Sequence, residues 1–187
     1  MEDVLGLLKI TVRKGINLAV RDAISSDPYV VITIGQEKLK THVVKRNCNP
    51  IWNEVLVFSI KDTDAPVHLT VFDKDTFTGD DRMGVAEIDI KPYIAALKMA
   101  KGLHNLPNSC TLKRIQQSQT NCLAEESCIV WENGKITQDM LIKLQDVECG
   151  EILLQLDWTE APGCKGLESE AIAGPWNPKL PTAKKHH

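Results

Sequence analysis

A succession of short β-type segments over residues 6–90, with no helical segment between them, is the feature that most limits the fold. Residues 6–14 set Leu8, Ile10 and Val12 against Lys9, Thr11 and Arg13. That period of two puts the two groups on opposite faces of a strand. Residues 29–34, 55–60 and 67–72 are rich in β-branched and apolar side chains, and clusters of Asp, Asn, Pro and Gly separate them. Those clusters are turn formers. Regularly spaced strands joined by turns predict an antiparallel sandwich or barrel.

The pattern changes after Ile90. Residues 91–101 read as a helix, with Pro92 suited to its first turn and Gly102 to its end. Residues 103–127 are polar and irregular. A hairpin is expected at 128–137, turning on Asn133-Gly134, because Asn-Gly supplies the positive φ angles of the tight turn. Met140, Ile142 and Leu144 alternate again, and Ile152, Leu154, Leu156 and Trp158 mark the last clear strand. Residues 168–187, with Pro175, Pro178 and Pro181, read as a flexible tail ending in a His pair.

The chain has 187 residues, 43% hydrophobic and 25% charged, which suits one packed domain and excludes wholesale disorder. No apolar run reaches the length of a helical membrane span. The net charge of -3 argues against nucleic acid as a partner. Met1-Glu2-Asp3-Val4 shows no basic or long apolar leader, so no secretory signal is expected. Six cysteines without a Cys-x-x-Cys pair are then expected as free thiols.

The aspartates carry the chemistry. Asp22 and Asp27 flank one loop between strands, and Asp73, Asp75 and Asp81 fall in and after a second. If both loops lie at one end of the sheets, five carboxylates converge. Two like charges about 4 Å apart cost about 4 kcal/mol at an effective dielectric of about 20, so such a cluster calls for a cation. Flexible loops offering hard oxygens suit Ca²⁺ better than Mg²⁺. Bridging carboxylates can hold two ions, and the backbone carbonyls of Arg21 and Lys74 are further candidate ligands. On spacing alone, ordinary solvated turns explain the pattern equally well. The same loops carry apolar tips, Ile24 and Phe77, which beside a cation site suit insertion into a lipid interface.

Residues 36–46 hold four basic residues, Lys38, Lys40, Lys45 and Arg46, against Glu37, a local charge of +3. Lys38 and Lys40 alternate with Leu39, so they share one strand face. The stretch serves either as attraction to an anionic membrane or as a lysine-guarded edge strand.

Ser26-Asp27-Pro28-Tyr29-Val30, Asn49-Pro50-Ile51-Trp52-Asn53-Glu54, Val71-Phe72-Asp73-Lys74-Asp75 and Asp81-Arg82-Met83-Gly84, in that order, resemble the C2 domain. The resemblance implies an all-β, eight-stranded antiparallel sandwich. It places calcium ligands on Asp22, Asp27, Asp73, Asp75 and Asp81 and a lipid patch on Lys38 and Lys40. The first strand resembles the second strand of the type I form, and the last resembles its first, which implies type II topology. A narrower likeness spans residues 3–167. Leu5-Gly-Leu-Leu, residues 15–22, residues 121–127 and residues 147–151 resemble the plant C2-domain abscisic-acid-related proteins, with 91–150 as that family's insert, a mixed helix and hairpin before the last strand.

This likeness implies a non-catalytic, calcium-dependent adaptor on anionic phospholipid membranes. It would recruit abscisic acid receptors of the PYR/PYL type to the plasma membrane, with cytoplasmic and nuclear pools. The alternative it implies is activation of a small or unconventional GTPase, with Arg13, Arg21, Arg46, Arg82 and Arg114 as candidate fingers. Catalysis by the chain itself has little support. No nucleophile elbow or phosphate loop occurs, and His42, His68 and His104 have no evident Cys partner.

Overall fold

The computed structural model describes residues 3–103 and 106–169. His104 and the tail from residue 170 onward lie outside the described residues. Among the described residues, ten strands and one helix follow in chain order. They are β1 (Gly6–Ile16), β2 (Pro28–Ile34), β3 (Glu37–Lys40), β4 (Ile51–Ile60), β5 (Val67–Asp73), β6 (Asp81–Ile88), α1 (Lys91–Lys101), β7 (Cys110–Ile115), β8 (Ser127–Glu132), β9 (Lys135–Lys143) and β10 (Glu151–Thr159). A six-stranded sheet runs β4-β1-β10-β9-β8-β7 and a four-stranded sheet runs β3-β2-β5-β6. Every pairing is antiparallel.

The alternation seen in the sequence is the alternation of burial. Leu8, Ile10 and Val12 of β1 are buried with Ile152, Leu154 and Leu156 of β10, against Val30, Ile32, Leu69 and Val71 of the other sheet. That apolar interior drives the two sheets together. β1 lies between β4 and β10, so the last strand flanks the first, as the permuted topology requires.

Eight strands are expected, with a helix and a hairpin in the insert; the described residues hold ten strands and one helix. Three of the ten strands, β7, β8 and β9, fall within residues 91–150. β7 occupies a stretch that reads as irregular, because it is an edge strand with Thr111, Lys113 and Arg114 exposed. β6 has no clear strand pattern either, since it opens on exposed Asp81 and Arg82 and contains Gly84. The hairpin β8–β9 turns on Asn133 and Gly134 at φ 51° and 78°, the left-handed values the dipeptide predicts. In α1, Pro92 sits in the first turn, and Tyr93, Ile94 and Ala96 face the core. The Tyr93 hydroxyl donates to the Ile136 carbonyl at 2.6 Å, which ties the helix to β9.

Candidate metal and membrane site

Four loops meet at one end of the sandwich. They comprise residues 17–27, 41–50, 74–80 and 144–150. The segment 49–54 holds two of them in place. Asn17 N–H donates to the Asn49 side chain at 2.8 Å, Gly15 N–H to the Pro50 carbonyl at 2.9 Å, and the Trp52 indole to the Pro28 carbonyl at 3.2 Å. Within the first loop the fully buried Ser26 hydroxyl donates to the Ala19 carbonyl and accepts from Arg21 N–H, each at 2.8 Å. Buried polar groups satisfied in this way fix a loop in one conformation.

On this frame the carboxylates of Asp22, Asp27 and Asp73 offer oxygens within 4.8 Å of one another. Asp73 closes β5 and pairs with Pro28 on one side and Asp81 on the other. It is buried, 3% exposed, while Asp22 is exposed and Asp27 half-buried. The Asp27 N–H donates to Asp73 Oδ1 at 2.7 Å, and Arg46 N–H donates to Asp27 Oδ1 at 2.7 Å. Burial, joined by the charges of Asp22, Asp27 and Asp81, pushes the Asp73 carboxyl up from its ordinary range, with the Asp27 N–H opposing. A buried carboxylate facing like charges is stabilised by a cation, so the residues present fit a divalent ion with oxygen ligands. Arg21 and Lys74, whose backbone carbonyls are the further candidate ligands, each adjoin one of these aspartates in the chain.

Asp75 stands apart from that trio. Its carboxylate accepts from the Thr78 hydroxyl, from Phe77 N–H at 3.0 Å and from Thr78 N–H at 3.4 Å. These bonds, the hydroxyl first, hold its carboxyl below the usual range. Asp80, which spacing alone does not single out, organises the loop. It accepts from Asp75 N–H at 2.9 Å and from the Tyr29 hydroxyl, with Lys74 Nζ 3.6 Å away. Glu148 lies in the stretch 147–151 that carries the family likeness, but the sequence assigns it no role. Its carboxylate takes both Arg21 guanidinium nitrogens, at 2.6 and 3.0 Å, and that pairing pushes its carboxyl down to about 2.

The apolar tips stand clear of the fold. Ile24 is 90% and Phe77 94% exposed. Lys38 and Lys40 are both exposed on β3, an edge strand, opposite Thr33 and Val31. No helix among the described residues is long and apolar enough to cross a membrane.

The C2 domain family matches residues 6–106. An Arabidopsis thaliana protein called C2-DOMAIN ABA-RELATED 10 is 58% identical over 170 residues, covering 91% of this chain and 94% of its own length. A protein of Oryza sativa subsp. indica called GTPase activating protein 1 is 50% identical over 163 residues, covering 87% and 97%. Among solved structures, a C2 domain of plant Extended Synaptotagmin 1 shares the fold, with TM-score 0.53 at 18% identity, covering 84% of this chain and 97% of that one. The chain therefore belongs to the C2 domain family, among its C2-domain ABA-related proteins.

Proposed function

We propose that this chain is a calcium-dependent adaptor that docks on anionic phospholipid membranes and brings abscisic acid receptors of the PYR/PYL type to the plasma membrane. The observation that carries the reading is the convergence of Asp22, Asp27 and Asp73 within 4.8 Å, in loops whose tips are the exposed Ile24 and Phe77. Bound calcium supplies positive charge that lipid phosphates can share with the loops. Asp22, Asp27 and Asp73 hold the first ion, with the Arg21 and Lys74 carbonyls beside them. Asp75 and Asp81 extend the acidic surface to a second ion. Ile24 and Phe77 then enter the interface, and Lys38 and Lys40 add attraction to anionic headgroups. The names of the relatives tie the family to abscisic acid, and the insert at 91–150 offers the receptor its surface. The chain acts as a binding module moving between cytoplasm, nucleus and membrane, without catalysis of its own.

Vesicle co-sedimentation tests this. Binding to phosphatidylserine vesicles with calcium, and none with chelator or neutral lipid, is the expected result. Calcium-independent binding would move the weight to the basic strand, and no binding at all would overturn the membrane reading.

The rice relative's name supports a second reading, activation of a GTPase. Arg21 and Arg82, which adjoin Asp22 and Asp81 in the chain, are the candidate fingers at the acidic loops. Single-turnover GTP hydrolysis with and without the protein separates the two readings.

A further inference from the structure

Arg21 sits one residue before Asp22, so it brings a fixed positive charge to the rim of the acidic cluster. The charge of Asp81 already acts on it. An arginine free to turn inward would neutralise carboxylates that a divalent ion needs. In the structure it is turned outward. Its two terminal nitrogens fork onto Glu148 at 2.6 and 3.0 Å, and its Nε lies 3.4 Å from the Arg82 carbonyl. Glu148 comes from the loop between β9 and β10, distant in sequence from both aspartate loops.

That loop is held firmly enough to act as an anchor. Gln145 and Val85 exchange backbone hydrogen bonds at 2.7 and 3.0 Å, and Leu144 N–H donates to the Gly150 carbonyl at 3.0 Å. Gly84, at φ 119°, lets the loop lie against β6, where a Cβ would come 2.8 Å from Leu144 and Val147. The main chain that carries Glu148 is therefore fixed.

We infer that Glu148 is a positioning residue for the calcium site, holding the Arg21 guanidinium away from Asp22, Asp27 and Asp73 so that the loops stay open to the ion. The inference rests on the calcium reading above. It makes the last loop of the insert part of the site without making it a ligand. A partner that engages Glu148 would release Arg21 toward the aspartates and lower calcium affinity.

The test is a double-mutant cycle read by calorimetric titration of calcium chloride into the full chain. Glu148→Gln keeps the shape and removes the charge, and the exposed pair adds little to folding, so its melting in chelator stays near wild type. Its calcium affinity is expected to fall about tenfold, the scale of losing a supporting contact around a metal site. In an Arg21→Gln background, Glu148→Gln is expected to change affinity less than about twofold, because no guanidinium remains to misplace. Equal losses in both backgrounds would overturn the inference and reduce Glu148 to a distant negative charge. Wild-type affinity in the single variant would overturn it as well. A wild-type protein that takes up no calcium would instead overturn the calcium reading itself, and the inference with it.

Discussion

The backbone N–H of Asp27 points at the Asp73 carboxylate across 2.7 Å, so one loop's main chain positions the other loop's buried charge. The pairing of Pro28 with Asp73 in the β2–β5 ladder enforces that meeting. Without a cation the site stores repulsion at Asp73. Asp73→Asn keeps the hydrogen bond and removes the charge. Calcium affinity should fall at least about tenfold, while the melting temperature in chelator should rise. Calorimetric titration and thermal unfolding in chelator check both halves.

Asp80 gathers the Asp75 N–H, the Tyr29 hydroxyl and Lys74. Asp80→Ala should cost about 1.5 kcal/mol of stability, the scale of one hydrogen bond to a charged group. The loop tip should loosen as well. Urea unfolding gives the first quantity, and amide exchange at Asp75 and Phe77 gives the second.

Ile24 and Phe77 contribute nothing to the core. Ile24→Ala and Phe77→Ala should leave stability within about 0.5 kcal/mol. Each should weaken binding to anionic vesicles by about 1.5 kcal/mol, roughly tenfold. Co-sedimentation at two salt concentrations should show that this loss does not depend on salt.

The lysines of β3 should behave in the opposite way. Lys38→Ala with Lys40→Ala should cost about 1 kcal/mol per lysine at low salt and progressively less as salt screens the pair. Parallel binding isotherms across a salt series decide it.

Both tyrosines resist ionisation. Burial, then the hydrogen bond and charge of Asp80, push the Tyr29 phenol up to about 12. Burial pushes Tyr93 up as well. A phenol whose folded value lies above its unfolded value favours the folded state at every pH below the unfolded value. That contribution disappears as pH rises through the folded value. For Tyr29 the window runs from about 10 to about 12. Ultraviolet titration should show no phenolate signal at pH values where free tyrosine is ionised, until the fold gives way. Tyr29→Phe should remove the Tyr29 share of the effect.

What was legible in the sequence is what local pattern controls. The β1 and β10 alternations, the Asn133-Gly134 turn and the aspartates at strand ends all act through neighbouring residues. What was hidden depends on partners far along the chain. Asp80 reads as the neighbour of Asp81, and its role appears only once Tyr29 and the Asp75 N–H reach it. Glu148 is 127 residues from Arg21, and its segment, 147–151, carries the family likeness without pointing to that partner. β6 and β7 escaped because their outer faces are charged and a glycine interrupts one of them. Asp75 illustrates the converse. Its spacing places it with the other aspartates, yet its side chain closes its own turn.

Leu8 pairs with Phe58 on one side and with Trp158 on the other. During synthesis the first neighbour emerges about 50 residues after Leu8 and the second about 150 residues after it. At five to twenty residues per second, β1 spends several seconds as an open edge on the ribosome, the kind of edge that pairs with the wrong chain. The loop bearing Arg21 and Asp22 hangs from the end of that strand, and its anchor Glu148 is made just before β10. A nascent chain stalled before residue 151 therefore already has the β2–β5 ladder that brings Asp27 to Asp73, but it lacks the strand that closes the open edge of β1 beside the Arg21 and Asp22 loop.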